Sequence, residues 1–127
     1  MTSHLTAVAL VVPDYDPAID FFCNVMGFTL TEDIARGAKR WVTVEPPGGG
    51  LRLVLARAEG PAQTAAIGNQ AGGRVWLFLE TSDFARDHAR MLAAGVQFEE
   101  APRHEPYGTV AVWRDPFGNR WDLIQPS

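Results

Sequence analysis

One cysteine in 127 residues, Cys23, rules out an internal disulfide and any zinc site built from several thiolates. It falls within a helical pattern, and with no base and orienting acid around it reads as a small buried hydrophobe. Basic runs are missing too. A net charge of −4 without clustered Lys or Arg leaves no footprint for nucleic acid and weakly favours cationic over anionic partners. No apolar run reaches membrane length, since residues 5–12 make only a strand-sized stretch. The opening MTSHLTAVALVVPDY has neither the basic start nor the cleavage site of a secretory signal. The expectation is a soluble, cytoplasmic protein that binds neither membrane nor nucleic acid. Histidine is scarce, with His4 ahead of the first strand, His88 in a helical pattern and His104 in a loop. Each reads as a structural or solvated side chain rather than a ligand.

What the chain does contain is alternation punctuated by turns. AVALVV (7–12) is a strand, and PDYDP places Asp16 as an N-cap with Pro17 at the first helical position. A helix follows with Ala18, Phe21, Phe22, Val25 and Met26 on its apolar side, and Gly27 closes it. FTLTED, RWVTVE and LRLVLARA supply three further strands. From residue 75 the order returns: VWLFLE, a helix capped by Ser82 or Asp83 that runs through Ala94 to Gly95, then VQFEE, TVAVW and RWDLIQ. Between the halves, AEGPAQTAAIGNQAGG (58–73) reads as a mobile connector.

The repetition is legible residue by residue. A shift of 69 lays residues 7–14 over 76–83, and a shift of 70 lays EPPGG (45–49) over DPFGN (115–119) and LRLVL (51–55) over WDLIQ (121–125). The chain therefore reads as α+β, one domain over 1–127, made of two tandem βαβββ modules (5–57 and 74–125) forming a cup-shaped mixed sheet. Period two assigns Val8, Leu10, Val12, Val42, Val44, Leu51, Leu53, Leu55, Leu77, Leu79, Val110, Val112, Trp121 and Leu123 to the helix side. The opposite face takes Ala7, Ala9, Val11, Trp41, Thr43, Arg52, Val54, Trp76, Phe78, Glu80, Thr109, Ala111, Trp113, Asp122 and Ile124. Each tryptophan taken alone reads as core or interface. Grouped with isolated charges, Trp41, Trp76, Phe78 and Trp113 read as stacking walls, and Arg52, Glu80 and Asp122 as the placed polar groups of a ligand site.

VALVVPDYDPAIDFFCNVMGF, the DFAR…AAG helix and above all DPFGNRWDLIQ resemble the vicinal oxygen chelate superfamily. That group includes glyoxalase I, extradiol dioxygenases, and bleomycin- and fosfomycin-resistance proteins. The resemblance implies the duplicated βαβββ fold and a homodimer. In catalytic relatives four strands each supply a metal ligand, and the matching positions here are Ala7, Arg52, Trp76 and Asp122. Only Asp122 offers a metal donor, while Arg52 is a permanent cation. The expectation is therefore a cup without metal or other cofactor, in which Arg52 and Asp122 form an ion pair. The leading functional expectation is binding of a small, partly aromatic molecule, as in the bleomycin-resistance branch. The alternative is a metal-dependent lyase, isomerase or dioxygenase with displaced ligands. A metal-free enzyme with Glu80 or Asp122 as general base, and an interaction role for the aromatic face, complete the set.

Overall fold

The structure, a computed structural model, describes residues 2–127 and divides into two units, one ending at Ile67 and one spanning Gly68–Ser127. The first contains β1 (Ala7–Val12), α1 (Tyr15–Ile19), β2 (Thr29–Arg36), β3 (Lys39–Glu45), β4 (Arg52–Arg57) and α2 (Gly60–Ala66). Its sheet order is β1-β4-β3-β2, with β1 parallel to β4 and the other pairs antiparallel. A parallel neighbour needs a long return path, and the helix and the β2–β3 hairpin provide it.

The first helix begins earlier than the sequence suggests. Asp14, not Asp16, is the N-cap and accepts from the Tyr15 N–H at 2.7 Å. Pro17 still sits in the first turn, where a missing N–H leaves nothing unsatisfied. Beyond Ile19 the helix widens into a π-helical stretch, Asp20–Val25, and ends where Gly27 turns to a φ of 75°. Ala18, Phe22 and Met26 are buried with Leu10, Val12, Val42, Val44, Leu53 and Leu55. Full burial of each large aliphatic side chain contributes about 1.5–3 kcal/mol. Tyr15 is buried between two cations, with the Arg40 and Arg57 guanidinium carbons each 5.2 Å from its ring centroid. Its hydroxyl accepts from the Arg40 N–H at 3.2 Å, which ties α1 to β3.

The second unit contains β5 (Val75–Glu80), α3 (Phe84–Ala93), β6 (Gln97–Phe98), β7 (Arg103–Glu105), β8 (Gly108–Arg114) and β9 (Arg120–Pro126). The sheet order is β5-β9-β8-β6, and β7 pairs with the other end of β8. The strand expected at VQFEE is only Gln97–Phe98 long, and a separate short strand, β7, follows Pro102, which cannot donate to a ladder. Asp83 caps α3, accepting from the Arg86 N–H at 3.1 Å, and Gly95 at φ 87° stops it.

The connector is more ordered than its composition suggested, since it forms α2, with Pro61 in the first turn of an Ala- and Gln-rich helix. After it, Gly68 at φ 71° lies so close to Phe117 that a Cβ there would collide with its carbonyl oxygen. The Gln70 N–H donates to Asn119 Oδ1 at 3.3 Å.

Residues 115–119 hold this end of the unit together through one carboxylate. Asp115 is buried, and its Oδ1 accepts from the backbone N–H groups of Phe117, Gly118 and Asn119, each at 3.0 Å. Its Oδ2 accepts from Asn119 Nδ2 at 2.9 Å and from Trp121 Nε1 at 3.0 Å. Replacing Asp115 by Ala strands several of these buried donors and should lower the unfolding free energy by roughly 3 kcal/mol. Urea denaturation measures it, and a loss below about 1 kcal/mol contradicts the role given to this carboxylate.

Candidate functional site

Sheet register decides which side chains share a surface, because residues directly opposite across two strands point to the same face. In the first unit Ala7 pairs with Arg52, Ala9 and Thr43 with Val54, and Ile34 with Trp41. These residues lie on the face away from the buried Leu10, Val12, Val42, Val44, Leu53 and Leu55, as alternation predicts. Trp41 is 41% exposed on this open face.

Beside it is a polar network that the sequence did not announce. Arg52 Nη1 lies 3.2 Å from Glu32 Oε1, and both side chains are about one-third exposed. Thr43 Oγ1 donates to the same Glu32 oxygen at 3.1 Å, and Thr31 Oγ1 is 2.6 Å from Thr43 Oγ1. Glu32 reaches this face through a bulge, since the register of β2 slips between Leu30 and Glu32. The only signal was the acid in FTLTED, whose phase no alternation rule could set without that bulge. The acid held by Arg52 is therefore Glu32 of its own unit, where the sequence suggested Asp122.

In the second unit the register corrects one strand. Trp113 pairs with Trp121, and Val112 with Asp122. The two indoles stack at a centroid distance of 4.8 Å with planes 21° apart. Two positions beyond Leu123 on the same face, Gln125 accepts from the Phe84 N–H at 2.8 Å, so this is the face that carries α3. Thr109, Ala111 and Trp113 consequently lie on the helix side, and Val110 and Val112 lie with Asp122, the reverse of the sequence assignment. The phase of β8 was lost because GTVAVW has apolar residues at both parities. Trp113 is fully buried and is no part of an open surface.

Trp76 also moves out of place. The β5–β9 register slips between Val75 and Leu77, and Asp122 pairs with Phe78 rather than with Trp76. Trp76 instead meets the edge of Trp121 at 6.2 Å. Phe78, Glu80, Asp122 and Ile124 remain on the face away from α3, and Phe78 is 66% exposed.

Asp122 is the unusual group. Its Oδ1 is shut off from solvent and has no hydrogen-bond partner, although the residue as a whole is only half-buried. Burial pushes its carboxyl above the ordinary 3.8, the positive charge of Arg103 opposes the shift, Glu100 adds to it and Arg120 opposes it. Arg103 is itself occupied, at 2.7 Å from Glu100 and 3.0 Å from Glu105. That hydrogen bond, together with one from the Val112 N–H, holds the Glu100 carboxyl below its usual value. The face thus presents one poorly solvated acid beside an exposed phenyl ring.

Among the described residues, no three His, Cys, Asp or Glu side chains gather closely enough to hold a metal ion, and no helix is long and apolar enough to cross a membrane.

The comparisons with known proteins agree with the duplicated architecture. Residues 4–123 match the model of the Glyoxalase/Bleomycin resistance protein/Dioxygenase superfamily. A chain of Shewanella frigidimarina, itself without an assigned role, is 54% identical over 98% of this chain and 95% of its own length. Among solved structures, UcmS2 is 29% identical with a TM-score of 0.85, covering 98% of each chain. TnmS3, an antibiotic binding protein from Streptomyces sp. CB03234, is 34% identical with a TM-score of 0.81, covering 100% of this chain and 99% of its own. The chain belongs to the glyoxalase/bleomycin resistance protein/dioxygenase superfamily.

Proposed function

We propose that this chain binds a small, partly aromatic molecule on the sheet faces turned away from the helices, without a metal ion. The observation that carries the reading is the exposure of Phe78, at 66%, beside an acid whose inner oxygen has no partner. A large apolar side chain left in solvent next to a placed polar group is what a ligand-binding wall looks like before it is covered. Trp41, next to the Arg52–Glu32–Thr43 network, repeats the combination in the first unit. The likeness to TnmS3, described as an antibiotic binding protein, supports the ligand class.

The donor set does not fit the divalent ion of catalytic relatives. Ala7 has no donor atom, and its register partner Arg52 is a fixed cation committed to Glu32. Trp76 brings only an indole N–H and sits at the β5 slip, away from Asp122. Of the four positions, only Asp122 supplies a carboxylate.

A second reading draws on Asp122 alone. A carboxylate with a raised pKa and a free oxygen suits a general base in a metal-free enzyme. Glu80, on the same face, is exposed to solvent. We also take the protein to act in the cytoplasm and as a homodimer; light scattering on the purified chain checks the dimer.

Intrinsic tryptophan fluorescence titrated with a library of aromatic drugs should show saturable quenching. Phe78→Ala should weaken the best binder about tenfold, corresponding to 1.4 kcal/mol, while leaving unfolding within about 0.5 kcal/mol of the parent. No response across the library contradicts the proposal. Asp122 also gives a pH signature. Its folded pKa is raised, so the native state binds more protons than the unfolded chain, and this residue's contribution to stability falls as pH rises above 3.8. Asp122→Asn should therefore be more stable than the parent at pH 7, with the gap closing as the pH is lowered toward 4. Equal stability at both pH values counts against a strained carboxylate.

A further inference from the structure

We propose that the pocket where the 68–74 loop meets the 115–119 turn is a second binding site, for a small oxyanion such as a carboxylate or a phosphate. Nothing in the ligand-binding reading above depends on it, and it shares neither Phe78 nor Asp122.

The cavity is about 180 Å³, so it falls below the roughly 300–1,000 Å³ of sites for drug-sized ligands and suits a compact group. Its lining includes Arg74, Arg114, Arg120 and Trp76. Two of the guanidiniums are held in place. Glu99 Oε2 lies 3.1 Å from Arg114 Nε and 2.8 Å from Arg120 Nε, so one carboxylate serves both. Arg114 Nη1 donates to the Gly118 carbonyl and Arg120 Nη1 to the Gly73 carbonyl, each at 3.1 Å. These bonds fix both cations in the pocket wall, side by side on Glu99.

Arg74 is different. It is exposed at the rim, and among the described residues its guanidinium has neither a carboxylate nor a carbonyl partner, while its backbone N–H donates to the Ala71 carbonyl at 3.3 Å. The lining itself carries three guanidiniums and no acid, in a chain whose net charge is −4. Guanidinium forks match the planar, paired oxygens of a carboxylate or phosphate, which they bind bidentately. The fork of Arg120 is already closed on Glu99, through Nε at 2.8 Å and Nη2 at 3.2 Å, so the bidentate grip on an incoming anion falls to Arg74.

Two backbone features shape the mouth. Gly72 and Gly73, at φ 65° and 93°, let the loop curl where a side chain would strain it. The slip in β5 leaves Trp76 as a wall of this pocket instead of a neighbour of Asp122. An indole at that position gives an apolar flank to whatever carries the anionic group.

The test is nitrogen-15 correlation NMR on the full chain, titrated with sodium phosphate and, separately, sodium benzoate at constant ionic strength. At least one of the two anions should give saturable shifts of the Gly72, Gly73 and Arg74 amides and of the Trp76 indole N–H. Arg74→Gln should weaken that binding at least about fivefold, and Arg74→Lys should restore only part of it because the fork is lost. Phe78→Ala should leave it unchanged, which separates this site from the drug-binding face. Shifts that fail to saturate with both anions, or saturation that Arg74→Gln leaves intact, overturn the proposal.

Discussion

A strand can hide only one of its two faces beneath a single helix. Each unit of this chain has one main helix, α1 or α3, for a sheet of four or five strands. Leu10, Val12, Val42, Val44, Leu53 and Leu55 go under in the first unit, and Trp113, Trp121 and Leu123 in the second. The remaining parity lies away from the helix; Thr43, Val110 and Val112 on it are buried, while Trp41 and Phe78 stand in solvent. That parity carries Trp41, the Arg52–Glu32 pair, Phe78 and Asp122.

Alternation made most of this legible. The first unit's two faces follow from the sequence, since Val and Leu alternate there with Ala, Thr and Arg. Where both parities were apolar, as in β8, the phase had no contrast to read, and the cross-strand partner decided it. Trp113 looked like a ligand wall for that reason and is instead stacked on Trp121. Bulges were equally opaque. A one-residue slip in β2 delivers Glu32 to Arg52, and another in β5 separates Trp76 from Asp122, yet neither leaves a signature in composition. The helix start was off by two residues because two aspartates compete for one cap, and the N–H of Tyr15 is reached by Asp14.

The duplicated fold survives while the chemistry at equivalent positions diverges. Ala7 beside Arg52 gives one unit a methyl and a guanidinium with its own acid. The other unit has a phenyl ring beside an acid without a hydrogen-bond partner. A fold sets the positions and leaves their use open, so family membership does not carry an activity with it. Affinity for a flat, apolar ligand needs only exposed rings and a few polar groups, and these the open faces supply.

The central claim is ligand binding that owes nothing to a metal. Native mass spectrometry of the purified chain, recorded with an aromatic ligand before and after exhaustive chelation, tests it most directly. The account predicts an organic adduct that survives chelation unchanged, and no stoichiometric divalent ion in the mass before it. A bound ion at one per chain, whose removal abolishes the adduct, would contradict it.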